Sequence, residues 1–202
     1  MIKIYNNEEA QETILKREMA LEPEIPPALK ASLERLFGRG ATPETAVTHI
    51  LRDVRLRGDS ALRDWTFKID GVQLDGLVVD SLDVQTAGTR LPIPLYEALQ
   101  FAARRIRAFH EKQPLPNWTT TEMGGVLGQR VTPIRRVGVY VPGGTAPLPS
   151  SLLMAVIPAQ VAGVPEIVVA TPPGKGGGDT AGRVPDVILA AAQICGIETV
   201  VT

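Results

Sequence analysis

Tyr140, Pro142, Gly143 and Gly144 lie within the run RVGVYVPGG, and this is where the chain's residue types and spacing come nearest to a ligand site. Glycines just after a strand let a ligand approach the backbone, and a following helix N-terminus favours an anion. Pro-Gly-Gly is also an ordinary turn. The spacing is neither G-x-G-x-x-G nor a P-loop, so dinucleotide binding does not follow from it. Tyr140 alternates with Val139 and Val141, which sends its ring to the opposite sheet face from theirs. At that position it either packs or meets a ligand.

Other chemistries find less support. His49, His110 and Cys195 are far apart in sequence and lack the short ligand spacing of a zinc site. His49 reads as a surface residue, His110 as half-buried at a helix end, and Cys195 in AAAQICG as a small core residue. Ser150-Ser151 is not set in G-x-S-x-G, and capping the next helix accounts for one hydroxyl. Asp59, Asp64 and Asp70 are acid/base groups in principle, with turn and solvent-face roles much commoner.

The elements around these residues are regular from Arg136 onward. Val137 to Val141 reads as a strand, and Ser150 or Ser151 as the cap of a helix running to Ala162, bent by Pro158 and stopped by Gly163. EIVVA is a strand apolar enough for helices on both faces. VPDVILAAAQICG is a second helix, with Pro185 and Asp186 in its first turn, and ETVVT opens a third strand. This predicts an α/β fold, a Rossmann-like β-α-β-α-β parallel sheet unit over 136–202, preceded by a mainly helical N-terminal region. Ligands in such sheets sit beyond the carboxyl ends of the strands.

Upstream, residues 1–40 read as an N-terminal helical arm with one short helix opened by Pro27 and closed near Gly38. Residues 41–135 form a helical, α/β part of the first domain. Within it Thr42 caps a helix with Pro43 at its first position, and Ala46, Val47, Ile50, Leu51 and Val54 follow helical spacing up to Gly58. DSALRDWTFK is the next helix. The long helix in LPIPLYEALQFAARRIRAFHEKQ carries Leu95, Leu99, Ala102, Ile106 and Phe109 on one stripe and ends by Pro114 and Pro116. NWTTTEMGGVLGQRVTPI reads as a hairpin turning at Gly124-Gly125, and GKGGGDTAGR as a surface loop.

Bulk properties narrow the class. The 202 residues suffice for a sizeable core, and the formal net charge of −1 gives no electrostatic case for nucleic acid or an anionic membrane. The RRIR at Arg104 to Arg107 reads as a solvated helix face. No apolar run approaches the ~18 residues of a membrane span. The N-terminus lacks a signal-peptide core, and one cysteine fits a reducing compartment, so a cytoplasmic location is expected.

The long stretch RVGVYVPGGTAPLPSSLLMAVIPAQVAGVPEIVVATPP resembles the most recognisable segment of the histidinol dehydrogenase family. VRLRGDSALRDWTFKIDG, IRAFHEKQPLPNW, LGQRVTPIRRVG and AAQICGIETV are similar to its other N-terminal landmarks, so the resemblance covers roughly 42–202. Ala155 stands where asparagine is usual, Leu148 where tyrosine is common, and Trp65 and Ile69 where the family has other aromatics. The resemblance implies a homodimeric enzyme of histidine biosynthesis that oxidises L-histidinol to L-histidine through histidinaldehyde, with two NAD-dependent steps. It implies one zinc per active site and a Glu-His acid/base pair. The family's loop tyrosine, an NAD contact, matches Tyr140, with Pro142, Gly143 and Gly144 beside it. Its zinc ligands and Glu-His pair are expected downstream of Thr202, so the chain reads as truncated before them and inactive alone. Two rival readings are a non-catalytic module that binds a nucleotide or a partner, and a structural half-domain.

Overall fold

The computed structural model describes residues 3–16, 25–113, 116–143, 146–174 and 182–202. The chain forms two compact units, residues 1–52 and 53–202. The first holds α1 (Asn7–Glu12), α2 (Pro27–Phe37) and the start of α3 (Pro43–Arg57). Proline at the first helical position starts both α2 and α3, where its missing N–H costs nothing. α1 is held by a reciprocal cap in which Asn6 Oδ1 accepts from Glu9 N at 2.8 Å and Glu9 Oε2 accepts from Asn6 N at 3.4 Å. Thr42 and Thr45 do the same for α3, since Thr45 Oγ1 accepts from Thr42 N at 2.9 Å. Backbone and Thr42 hydrogen bonds in that turn hold the Glu44 carboxyl below its usual range.

In the second unit, Gly58 ends α3 with its N–H on Val54 O at 2.8 Å, and α4 (Asp59–Asp70) follows at once. Arg57 ties the two helices together, bonding Asp53 at 2.7 Å and Asp64 at 2.7 Å, and Trp65 Nε1 donates to Asp53 at 2.8 Å. α4 closes at Gly71, whose φ of 72° is left-handed backbone suited to glycine. Then come α5 (Ser81–Thr86), a 3₁₀ turn (Ala87–Arg90) and α6 (Ile93–His110). β1 (Trp118–Thr120) and β2 (Leu127–Gln129) pair antiparallel around a turn with Gly124 at φ 77°, the hairpin that the glycine pair predicts.

β3 (Arg136–Tyr140), α7 (Pro149–Val161), β4 (Glu166–Ala170), α8 (Asp186–Ile194) and β5 (Val200–Val201) complete the chain. The sheet is parallel in the order β3-β4-β5, the β-α-β-α-β unit expected from the sequence. Right-handed crossovers that step in one direction across a sheet put their helices on one face. The register agrees. Val139, Val169 and Val200 form one row and are all buried with Leu152, Val156, Ile157, Ile188 and Leu189. The neighbouring row, Tyr140, Ala170 and Val201, points the other way, with Tyr140 exposed and the other two half-buried. The apolar EIVVA therefore carries helices on only one face among the described residues. Val168 and Ala170 look outward.

Two further details depart from the sequence pattern. Leu148, not a serine, occupies the cap position of α7, because Pro149 sets the first helical residue and draws both serines into the first turn. On α6 the stripe enters the core fully only at Leu99; Ala102 and Ile106 are half-buried against it, off-stripe Ala103 is buried, and Leu95 and Phe109 are exposed. The outer edge of β5 is closed by residues 77–79, with Val79 N on Val200 O at 2.9 Å and Thr202 N on Leu77 O at 2.8 Å. This antiparallel addition covers an edge that would otherwise present free ladder groups.

Leu152 and Met154 sit two residues apart on α7, one fully buried and the other exposed. Leu152→Ala is expected to cost about 2–5 kcal/mol in urea unfolding with an unchanged slope. Met154→Ala is expected to stay within about 0.5 kcal/mol. Equal losses would contradict the one-faced core.

Across the strand pair Arg136 faces Glu166 in register and forms an ion pair with it. The hydrogen bond and charge of Arg136 hold the Glu166 carboxyl below its usual 4.5. A lowered folded pKa means the contribution is present above 4.5 and is lost as pH falls through the folded value. Glu166→Gln should therefore lower the unfolding midpoint at neutral pH and lose its deficit toward the wild type in acid, read by thermal melts across pH.

Candidate functional site

Tyr140 is the last residue of β3, in register with Ala170 at the end of β4, and the residue is 69% exposed. Alternation along the strand holds it there, since Val139 and Val141 take the buried face. An exposed phenol at the carboxyl end of a parallel strand offers a flat apolar face with a polar tip, suited to stacking on a planar ring. Pro142 follows on the surface. Gly143 is half-buried, and the atoms nearest it belong to the loop leaving β4. A Cβ on Gly143 would lie 2.9 Å from Pro172 Cγ and 3.2 Å from Pro172 O. Gly144 lies outside the described residues.

The β4 exit is Thr171, Pro172, Pro173 and Gly174. Val141 N donates to Ala170 O at 2.8 Å and Thr171 N to Val201 O at 3.0 Å, so the three strands' exits are bonded together just where the loops begin. Pro173 is fully buried, and Gly174 N on Arg183 O at 3.0 Å with Gly182 N on Gly174 O at 3.0 Å draws together the ends of the loop read from GKGGGDTAGR. Residues 175–181 of that loop lie outside the described ones. Thr171 is buried, and its hydroxyl has no hydrogen-bond partner among the described residues.

A cavity of about 500 Å³ opens past the end of β5, lined by Asp75, Asp80, Asp83, Arg183 and Thr202 among others. Residues 73–83 supply most of its lining; they belong to the segment 73–90, whose helix the sequence reading does not separate out. The Asp80 cap is the signal that marks it, since Asp80 Oδ1 accepts from Leu82 N at 2.7 Å. Arg90 joins this segment to the first residue of α8 through Asp186 at 2.7 Å, and Arg183 reaches Asp83 at 3.2 Å. Gln193 completes the join, accepting from Gly88 N at 2.9 Å and donating to Gln85 O at 2.5 Å.

The remaining polar residues take structural places. His49 is exposed and meets the Phe37 ring edge-on at 5.9 Å. His110 is half-buried at the end of α6, with Nδ1 2.6 Å from Gln113 Oε1. Cys195 is a core residue whose thiol is pushed up to about 11 by burial, which keeps it protonated and unreactive. Asp64 pairs with Arg57, and Asp59 and Asp70 lie in the first and last turns of α4. Arg104 and Arg105 lie on the exposed face expected of RRIR, near the Phe101 ring. Arg107 does not. It is half-buried and donates to Gln160 Oε1 at 2.6 Å, while Gln160 Nε2 donates to Cys195 O at 2.5 Å, so this arginine helps satisfy the end of α8. Among the described residues no group of three His, Cys, Asp or Glu comes together that could hold a metal ion.

Fold and site together define an α/β protein with a three-stranded, parallel, Rossmann-like sheet and an exposed aromatic at the carboxyl end of its first strand. Comparison with known proteins is specific. The family model described as histidinol dehydrogenase matches residues 38–202, and the chain belongs to that family. It is 47% identical over 176 residues to the histidinol dehydrogenase of Deinococcus radiodurans, covering 87% of this chain and 39% of the relative. The Neisseria meningitidis protein of the same name is 40% identical over 184 residues, covering 89% and 42%. The crystal structure of histidinol dehydrogenase from Elizabethkingia anophelis superposes with a TM-score of 0.73 at 30% identity, covering 88% of this chain and 40% of that one. The chain spans about two fifths of the length of the curated relatives it matches. No helix among the described residues is long and apolar enough to cross a membrane.

The departures from the family pattern are placed without strain. Trp65 is buried on its bond to Asp53, while Ile69, Leu148 and Ala155 are exposed.

Thr171→Val removes a buried hydroxyl without a partner and keeps its shape. Stability should be unchanged or rise by up to ~1 kcal/mol, measured by urea unfolding. A loss of that size would show that the hydroxyl is bonded in solution.

Proposed function

We propose that this chain is the cofactor-facing part of a cytoplasmic, homodimeric histidinol dehydrogenase. The whole protein oxidises L-histidinol to L-histidine through histidinaldehyde, reducing two NAD. Tyr140, Pro142 and Gly143 form one wall of the NAD site. The observation that carries this is the placement of Tyr140, exposed at the carboxyl end of β3 beside the seated turn, in a chain of this family. Bound NAD supplies the hydride acceptor. The chain's own contribution is to present an aromatic face for one of the cofactor's planar rings and a turn that bears no side chain of its own at Gly143.

The zinc implied by the family does not fit the described residues, which bring together no cluster able to hold it.

The chain alone is expected to produce no NADH from histidinol, NAD and added zinc, followed by absorbance. Turnover would overturn this. Calorimetric titration with NAD should give weak binding. Tyr140→Ala should weaken it by about 1–3 kcal/mol, the scale of one stacked ring. Equal affinity in the variant would remove Tyr140 from the cofactor wall.

A further inference from the structure

Gly143 is a glycine for lack of room, not for conformational freedom. The glycines in left-handed backbone among the described residues are Gly38, Gly40, Gly58, Gly71, Gly124, Gly163, Gly182 and Gly196, and Gly143 is not one of them. Its φ does not call for glycine. What forbids a side chain is Pro172, whose Cγ, carbonyl oxygen and Cδ would lie 2.9, 3.2 and 3.3 Å from an added Cβ. Two of those three atoms belong to a proline ring. A proline cannot swing away as a long side chain would, because its ring is closed onto the backbone.

Pro172 is itself held. It stands between Thr171, whose N–H is bonded to Val201 O at 3.0 Å, and Pro173, which is fully buried. Val141, two residues before Gly143, is fully buried and bonded to Ala170 O at 2.8 Å. The turn after Tyr140 is therefore fastened at its start by the sheet and at Gly143 by a rigid ring on the neighbouring strand's exit.

We propose that Gly143 and Pro172 are positioning residues. Their close packing sets where the turn after β3 lies and so orients Tyr140 for the cofactor, without Pro172 touching that ligand. This rests on the assignment of Tyr140 to the NAD wall. Pro172 enters the functional site through it, although it lies 32 positions along the chain from Tyr140. A methyl on Gly143 pushes the turn off Pro172, whereas removing the proline ring restores space for that methyl.

The test is a rescue. The protein carries three tyrosines, Tyr5, Tyr96 and Tyr140, so fluorotyrosine labelling gives a small set of fluorine signals, with the Tyr140 signal assigned by its loss in Tyr140→Phe. Gly143→Ala should shift or broaden the Tyr140 signal, leave Tyr96 in place and weaken NAD binding by about tenfold. The double variant Gly143→Ala/Pro172→Ala should recover most of both effects. A merely structural defect would move the Tyr96 signal and the unfolding midpoint together, and the second substitution would deepen it. A Tyr140 signal unmoved by Gly143→Ala, or a double variant no better than the single one, overturns the proposal. If Tyr140→Ala leaves NAD binding unchanged, the cofactor assignment has failed, and the fluorine signals still decide whether the seat orients the ring.

Discussion

The row of Val139, Val169 and Val200, one residue from each parallel strand, is the contact on which the second unit depends. Burying that row under α7 and α8 decides which face of the sheet is core, and period-two alternation then leaves Tyr140 no choice but the opposite face. A slip of one residue would bury Tyr140 and expose Val139 and Val141 together. Hydrophobic burial is thus what turns the tyrosine outward, before any ligand is considered. The exposed ring is a by-product of the core.

The sheet's carboxyl end is fixed by the same core. Strand exits bonded to one another give a rigid base, and the loops that leave it can differ in length and composition without disturbing the core. Gly143 on Pro172 and the closed base of the loop after Gly174 are both packing or bonding events between such exits. On the far side of β5, the segment 77–79 completes the sheet and Arg90, Gln193 and Asp186 bind α5 and the 3₁₀ turn to α8. Those residues hold the helix layer against which the valine row packs.

Much of this was legible in order. Proline at helix starts, glycine at helix ends, the glycine pair of the hairpin and the strand-helix alternation after Arg136 are local signals with local causes, and each element forms where those signals lie. The Ser150-Ser151 pair shows how a local signal misleads. Both hydroxyls suit a cap, but Pro149 decides the helix start one residue earlier. Arg107 misleads for a different reason. Within RRIR it looks like its neighbours, and only the approach of Gln160 from α7 distinguishes it.

By itself the sequence determined the element order from Arg136 onward, the parallel sheet unit, the opposition of Tyr140 to Val139 and Val141, and the family, because periodicity, turn chemistry and a long run of motif residues are properties of neighbours along the chain. The tertiary structure alone decided that the helices cover one sheet face, that residues 77–79 close the β5 edge, and that Gly143 is narrow because Pro172 stands against it. Those are contacts between residues distant in sequence, and no local pattern encodes which atoms will meet once the core has closed.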